Sequence, residues 1–273
     1  MVNREEIRVC ILRVAGTNCD AETKRACETS GLTAEIVHLN QLARNGNLLE
    51  YQMLIMPGGF SHGDYVRAGA IWAKQILIRL GKDLERFMND ERPILGICNG
   101  FQVLIEAGLL PQFRGISPFP EAALGTNVPI GYCCRWIYLN HQSKGNCVFT
   151  SKIPPQSVVQ MPVAHAEGRF MFRKDEEDSQ LEKLIEADQL VFKYCHEDGQ
   201  SADGKYPENP NGSLSDIAGI CSPTGTVFGL MPHPERAYFG WELPSWTRCE
   251  TFPSYGAGRL IFESVADHLT RKF

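Results

Sequence analysis

At 273 residues with 43% hydrophobic content, the chain holds enough apolar material for one large core, and its length admits one large domain or two small ones. A formal net charge of −5 and a pI near 5.8 exclude the basic footprint of a nucleic-acid binder. No run approaches the roughly 18 apolar residues of a membrane helix, and Met1–Ile11, interrupted by Arg8, is not read as a signal peptide, so neither nucleic acid nor membrane is expected as a partner and a cytoplasmic location is expected.

Ile7–Val14 reads as a β-branched strand, followed by a turn at Ala15–Asn18 and a helix over Asp20–Ser30 that Gly31 closes. Ala34–Leu39 and Gln52–Met56 are further strands, the latter ended by Pro57-Gly58-Gly59. Val66–Leu80 has helical periodicity, with another turn or two of helix over Asp83–Asn89. Pro93–Ile97 is a short apolar strand that breaks at Cys98-Asn99-Gly100 into a helix over Phe101–Ala107. This alternation predicts an α/β fold, a parallel sheet with helices on both faces. From about Asn127 the pattern changes to β-like runs at Cys133–Leu139, Cys147–Thr150, Ser157–Ala164, Leu190–Cys195, Ile217–Cys221 and Val227–Met231. They predict an antiparallel extension of the same sheet. The acidic cluster Asp175–Asp178 is a solvated turn or a helix start. Asp198–Ser213, polar and rich in turn residues, is expected to be an exposed loop. Ala257–Leu269 is a closing helix with Ile261, Phe262, Val265 and Leu269 on one face. No linker or repeat divides the chain, and a single domain over residues 1–273 is expected.

The ten cysteines are irregularly spaced and form no CxxC pair, which argues against a disulfide framework or a thiolate metal site; most should be small buried hydrophobes. Cys98 stands apart. Gly96-Ile97-Cys98-Asn99-Gly100 lies between a buried strand and a helix, in the form of a nucleophile elbow. There the helix start favours a thiolate, and the N–H groups of Asn99 and Gly100 point towards an oxyanion. Taken alone, Cys98 is equally a core cysteine at a strand end. Of the seven histidines, His233 follows an apolar strand within Pro232-His233-Pro234-Glu235. In extended backbone residues i and i+2 share a side, so Glu235 could fix the His233 tautomer that accepts a proton from a thiol; alone, the tetrapeptide is also an ordinary proline-rich turn. Pro57-Gly58-Gly59-Phe60, at the same sheet edge, suits an oxyanion-hole loop or a plain strand-to-loop turn.

Together, Gly58-Gly59, Gly96–Gln102 and His233–Glu235 resemble the triad-type, class I glutamine amidotransferases. Gly16–Asp20, Gly58–Trp72, Ala164–Phe170, Tyr206–Ser213 and Met231–Arg236 further resemble the glutaminase subunits of phosphoribosylformylglycinamidine synthases of purine biosynthesis. The resemblance spans nearly the whole chain and implies a flavodoxin-like class I amidotransferase fold. It also implies Cys98 as nucleophile, His233 as base and Glu235 as its orienting acid. Gly58, Gly59 and Asn99 would form the oxyanion loop, Gln102 would touch bound glutamine, and His165 would line or brace the site. Glutamine would be hydrolysed to glutamate and ammonia through a cysteinyl thioester. No cofactor or metal is expected in this chain, which lacks a Walker-type G-x-x-x-x-G-K-[ST]; ATP and Mg are expected on a large synthase subunit that uses the ammonia to make formylglycinamidine ribonucleotide, and a third small subunit stays open. Asp64–Arg67 and Tyr206–Ser213 are candidate docking loops. Two departures stand out: His62, where an aromatic residue is expected, and extra length near 112–123 and 238–254. The competing readings are a cysteine hydrolase or peptidase of similar topology, which would not need the His-Pro-Glu ending, and a non-catalytic binding module, which would have lost one of Cys98, His233 and Glu235.

Overall fold

The structure, a computed structural model, describes residues 2–115, 117, 119–248 and 250–273, and of Asn45 the backbone alone. Cys249, and part of the extra segments at 112–123 and 238–254, therefore lie outside the described residues. The first half alternates as its patterning predicts: β1 (Arg8–Arg13), α1 (Asp20–Thr29), β2 (Thr33–His38), α2 (Leu39–Asn45), β3 (Met53–Met56), α3 (Ala70–Asn89), β4 (Ile94–Ile97) and α4 (Asn99–Glu106). The second half supplies β5 (Ala123–Gly125), β6 (Cys133–His141), β7 (Val158–His165), β8 (Arg169–Met171), α5 (Glu177–Glu186), β9 (Leu190–Cys195), β10 (Ile217–Cys221), β11 (Val227–Leu230) and α6 (Arg259–Lys272).

Nine strands form one mixed sheet in the order β2-β1-β3-β4-β11-β10-β9-β6-β7. The five from β2 to β11 are parallel, and the remaining four pair antiparallel. β5 and β8 make a separate two-stranded ribbon. Every residue of β3, β4 and β11 is buried, as parallel strands covered by helices on both faces require. α1 packs on β1 and β2 and touches α6, whereas α4 lies on β3, β4 and β11 and carries α3. Ile261, Phe262, Val265 and Leu269 of α6 are all buried, each contributing about 1.5–3 kcal/mol of transfer free energy.

Four local expectations need correction. The helix expected from Val66 starts only at Ala70, because Val66 and Gly69 both have positive φ (74° and 78°). It then runs unbroken to Asn89 through Gly81, since Leu80, Leu84, Phe87 and Met88 continue one buried stripe. Cys147–Thr150 is not a strand. It turns, with Thr150 N–H donating to the Cys147 carbonyl, while the Cys147 and Phe149 side chains fill the core. Leu39 belongs not to a strand but to α2, whose first turn is capped by His38 Nδ1 accepting from Asn40 N–H. Asp198–Ser213 is exposed mainly in its first part; Asn209, Asn211 and Ser213 are buried because their side chains satisfy backbone groups of Ser213, Gly168 and Phe170 in turn. α5 begins at Glu177, so the acidic cluster is indeed a helix start.

Candidate active site

The carboxyl ends of β1, β3, β4 and β11 lie side by side, the edge where open α/β sheets collect their ligands. Cys98 follows β4 and caps α4, with φ 50° and ψ −104°, a conformation that non-glycine residues avoid. Neighbouring chain enforces it. The Cys98 N–H donates to the Leu230 carbonyl of β11 at 2.8 Å. A Cβ on Gly96 would stand 2.7 Å from the Gly100 carbonyl oxygen, and one on Gly100 would overlap the Met56 carbonyl. The turn thus admits no side chain on either flank and sets Cys98, only 4% exposed, at a helix N-terminus. The Asn99 and Gly100 N–H groups belong to the first helical turn, which has no intrahelical acceptors for them.

β11 is the parallel neighbour of β4, with Leu230 opposite Ile97, so the segment beyond it delivers His233 to the same edge. His233 and Glu235 are almost fully buried, and His233 Nδ1 donates to Glu235 Oε1 at 2.6 Å. That bond leaves Nε2, buried and without a partner among the described residues, as the nitrogen free to exchange a proton. Burial opposes an imidazolium here. The Glu235 charge, then the Cys98 charge, with the nearby Cys19 and Cys98 sulfurs adding to them, outweigh it and hold His233 well above its usual range. An imidazole so poised can take a thiol proton and keep it.

The Gly58-Gly59 turn is pinned by the loop after β1: Asn18 and Cys19 N–H groups both donate to the Gly58 carbonyl, and Phe60 N–H donates to Gly16. These bonds leave the Gly59 N–H uncommitted among the described residues. Asn99 joins this turn to α4, its Oδ1 accepting from Ser61 N–H at 3.2 Å and its Nδ2 donating to Gln102 Oε1 at 2.8 Å. Gln102 Nε2 donates in turn to the Glu167 carbonyl at 2.5 Å. Beside them the Asp64 carboxyl, half-buried and near Glu167, is pushed up to about 6, first by desolvation and then by that carboxylate.

β7, the last strand in the sheet order, curls back to wall the site. The Ala164 carbonyl accepts from the Cys98 thiol at 3.6 Å, and the Pro162 carbonyl from His233 N–H at 2.8 Å. His165 is buried, its Nδ1 donating to Asn127 Oδ1 at 3.2 Å; desolvation, then His233, lower its pKa to about 3, so it is neutral at ordinary pH. His62, on the turn after Phe60, bonds Gln75 through Nε2.

Cys98, His233, Glu235, Gly58, Gly59, Asn99, Gln102 and His165 are thus brought to one edge. Sequence reading assigned no role to Cys19, Asn127 or Asn211. Asn127 clamps the 164–168 loop through His165 and Gly168, and Asn211 Nδ2 donates to the Gly168 carbonyl at 2.8 Å. The Tyr206–Ser213 motif, taken as a docking loop, therefore braces the site at its buried end and leaves Tyr206 exposed. Cys19, His233 and Glu235 offer ligand atoms within 4.8 Å of one another. Within that trio His233 and Glu235 are hydrogen-bonded together, and the Arg236 guanidinium is seated on the Cys19 sulfur at 3.2 Å.

Residues 6–269 match the family model of the CobB/CobQ-like glutamine amidotransferase domain. The chain is 47% identical to phosphoribosylformylglycinamidine synthase subunit PurQ of Archaeoglobus fulgidus, covering 99% of this chain and 100% of that one. It is 38% identical to the PurQ subunit of Methanothrix thermoacetophila, over 97% and 99% of the two chains. In structure it superposes on a chain of PurLQS from Thermotoga maritima with a TM-score of 0.71 and 30% identity, covering 97% and 99%.

Proposed function

The chain belongs to the CobB/CobQ-like glutamine amidotransferase family, and on that premise we propose that it is the glutaminase subunit of a phosphoribosylformylglycinamidine synthase, working in purine biosynthesis. Residues 1–273 act as one amidotransferase domain in the cytoplasm. Glutamine is its substrate, and a larger synthase subunit, carrying ATP and Mg, consumes the ammonia.

The observation that supports this best is Cys98 on a strained elbow, facing an imidazole whose far nitrogen is held by a buried carboxylate 2.6 Å away. The Cys98 thiolate attacks the side-chain amide carbon of glutamine. Backbone N–H groups of Gly59 and Asn99 receive the oxyanion. The proton on His233 passes to the departing nitrogen and ammonia leaves. Water, deprotonated by His233, then cleaves the γ-glutamyl thioester to glutamate and free thiol. Glu235 steadies the ring charge throughout. Gln102 keeps one N–H and one lone pair beyond its internal bonds with which to touch the substrate. His165, neutral and clamped to Asn127, braces the wall.

The test is glutamate release with and without the synthase subunit. Cys98→Ala should lose on the order of 10³-fold or more in turnover, in both settings. Activity retained by that variant overturns the mechanism.

A further inference from the structure

Cys19 reaches the site from the loop after β1, yet the two-stage chemistry above gives it no task. Its residue is 2% exposed. Its sulfur accepts from Arg236 Nη2 at 3.2 Å, and the same guanidinium is anchored on Glu22 Oε1 by bonds of 2.9 and 3.0 Å. The sulfur, a His233 ring nitrogen and a Glu235 carboxylate oxygen lie within 4.8 Å of one another. Arg236 also feels the Glu235 charge, and Glu235 Oε2 is buried and unpaired among the described residues.

We infer that Cys19 is a positioning residue for His233. Its sulfur packs against the imidazole and seats Arg236, so that the guanidinium stays on sulfur and Glu22 while Glu235 is reserved for His233 Nδ1. The inference rests on the glutaminase reading given above. A thiol suits the place: it is small, polarisable, and able to accept from Arg236 while remaining a weak donor. Removing the sulfur frees one N–H of Arg236 Nη2 to turn towards Glu235 while Glu22 keeps the other, and a carboxylate shared with an arginine holds an imidazolium less firmly. The groups that act on or feel His233 are Glu235, Cys98, Cys19, His165 and Tyr132, with Arg236 one step further out on the Cys19 sulfur. Of these, Glu235 holds Nδ1, and Cys19 packs where Gly58 meets the ring.

The experiment measures glutamine hydrolysis across pH for the chain assembled with its synthase partner. It compares wild type with Cys19→Ala, Cys19→Ser and, as a core-thiol control, Cys10→Ala on β1. Cys19→Ala should lower kcat roughly tenfold with KM within about twofold, a fraction of what general acid–base catalysis supplies. The alkaline limb of its kcat profile should move to lower pH, because one support of the imidazolium is gone. Cys19→Ser, which can still accept from Arg236, should recover most of both, and Cys10→Ala should leave the limb in place. Melting curves check that each variant folds; if Cys19→Ala does not, Cys19→Val gives the same readout. A Cys19→Ala enzyme with wild-type kcat and limb overturns the inference, as does one whose lost kcat comes with an unmoved limb and no rescue by serine. Wild-type protein that releases no glutamate overturns the glutaminase reading and this inference with it, whereas active wild type with an unaffected Cys19→Ala overturns this inference alone.

Discussion

A methyl group on Gly58 would stand 2.7 Å from His233 Cε1 and 3.1 Å from Cys19 Sγ. The ring cannot retreat without stretching its 2.6 Å bond to Glu235. Gly58→Ala should therefore lower kcat about 100-fold, the scale expected when a reacting group is displaced by an ångström or so, while its melting curve changes little. A variant with wild-type kcat would show that the imidazole has slack. His165 offers a test through stability. Buried and neutral, with a pKa near 3 against 6.5 for the ordinary group, it binds fewer protons folded than unfolded. Its contribution is thus complete above pH 6.5 and is lost as pH falls towards 3, at up to roughly 1.4 kcal/mol per unit. His165→Asn, which keeps a donor for Asn127, should show a shallower loss of urea midpoint between pH 6.5 and 4.5 than wild type; equal slopes would contradict the assignment. Cys98, His233 and Glu235 were legible because each sits in a local pattern with its own mechanism: glycines flanking a strand end, prolines flanking a histidine. Cys19 was not, because its importance comes from Arg236 and His233, some 214 or more positions away in the chain.

At the level of elements, strands with unbroken apolar runs were read nearly to the residue, since burial on both faces leaves few other readings of β3, β4 and β11. Helix ends were harder. Gly81 looked like a break in α3 because glycine costs about 1 kcal/mol in a helix interior, but the buried stripe from Trp72 to Met88 overrides that cost. A Cβ there would meet nothing within 4 Å, and φ is not positive. Gly81→Ala should consequently stabilise the protein by about 0.5–1 kcal/mol, measured as a higher urea midpoint at unchanged activity. A lower midpoint would show that this face of α3 is not open. Cys147–Thr150 looked like a strand because apolar residues filling a core from a turn carry the same composition as a short buried strand, and periodicity cannot separate them over four residues.

For the molecule as a whole, the sheet accounts for the site. Parallel strands β1, β3, β4 and β11 end at one edge, each contributing a loop, and the antiparallel half curls round so that β7 lends carbonyls to Cys98 and His233. The alternation of strand and helix announced the first arrangement. Nothing local announced the second, which depends on pairing β6 with both β7 and β9 and on buried asparagines that satisfy one another's loops. On the proposed function, this edge offers one nucleophile, Cys98, to glutamine. The most direct measurement is peptide mass mapping after reaction with a glutamine analogue that alkylates its nucleophile, in complex with the synthase subunit, with and without excess glutamine. A single adduct on Cys98 is expected, suppressed by glutamine and missing in Cys98→Ala; an adduct on Cys19, Cys134 or any other thiol instead, or one that glutamine does not suppress, would rule Cys98 out as the nucleophile.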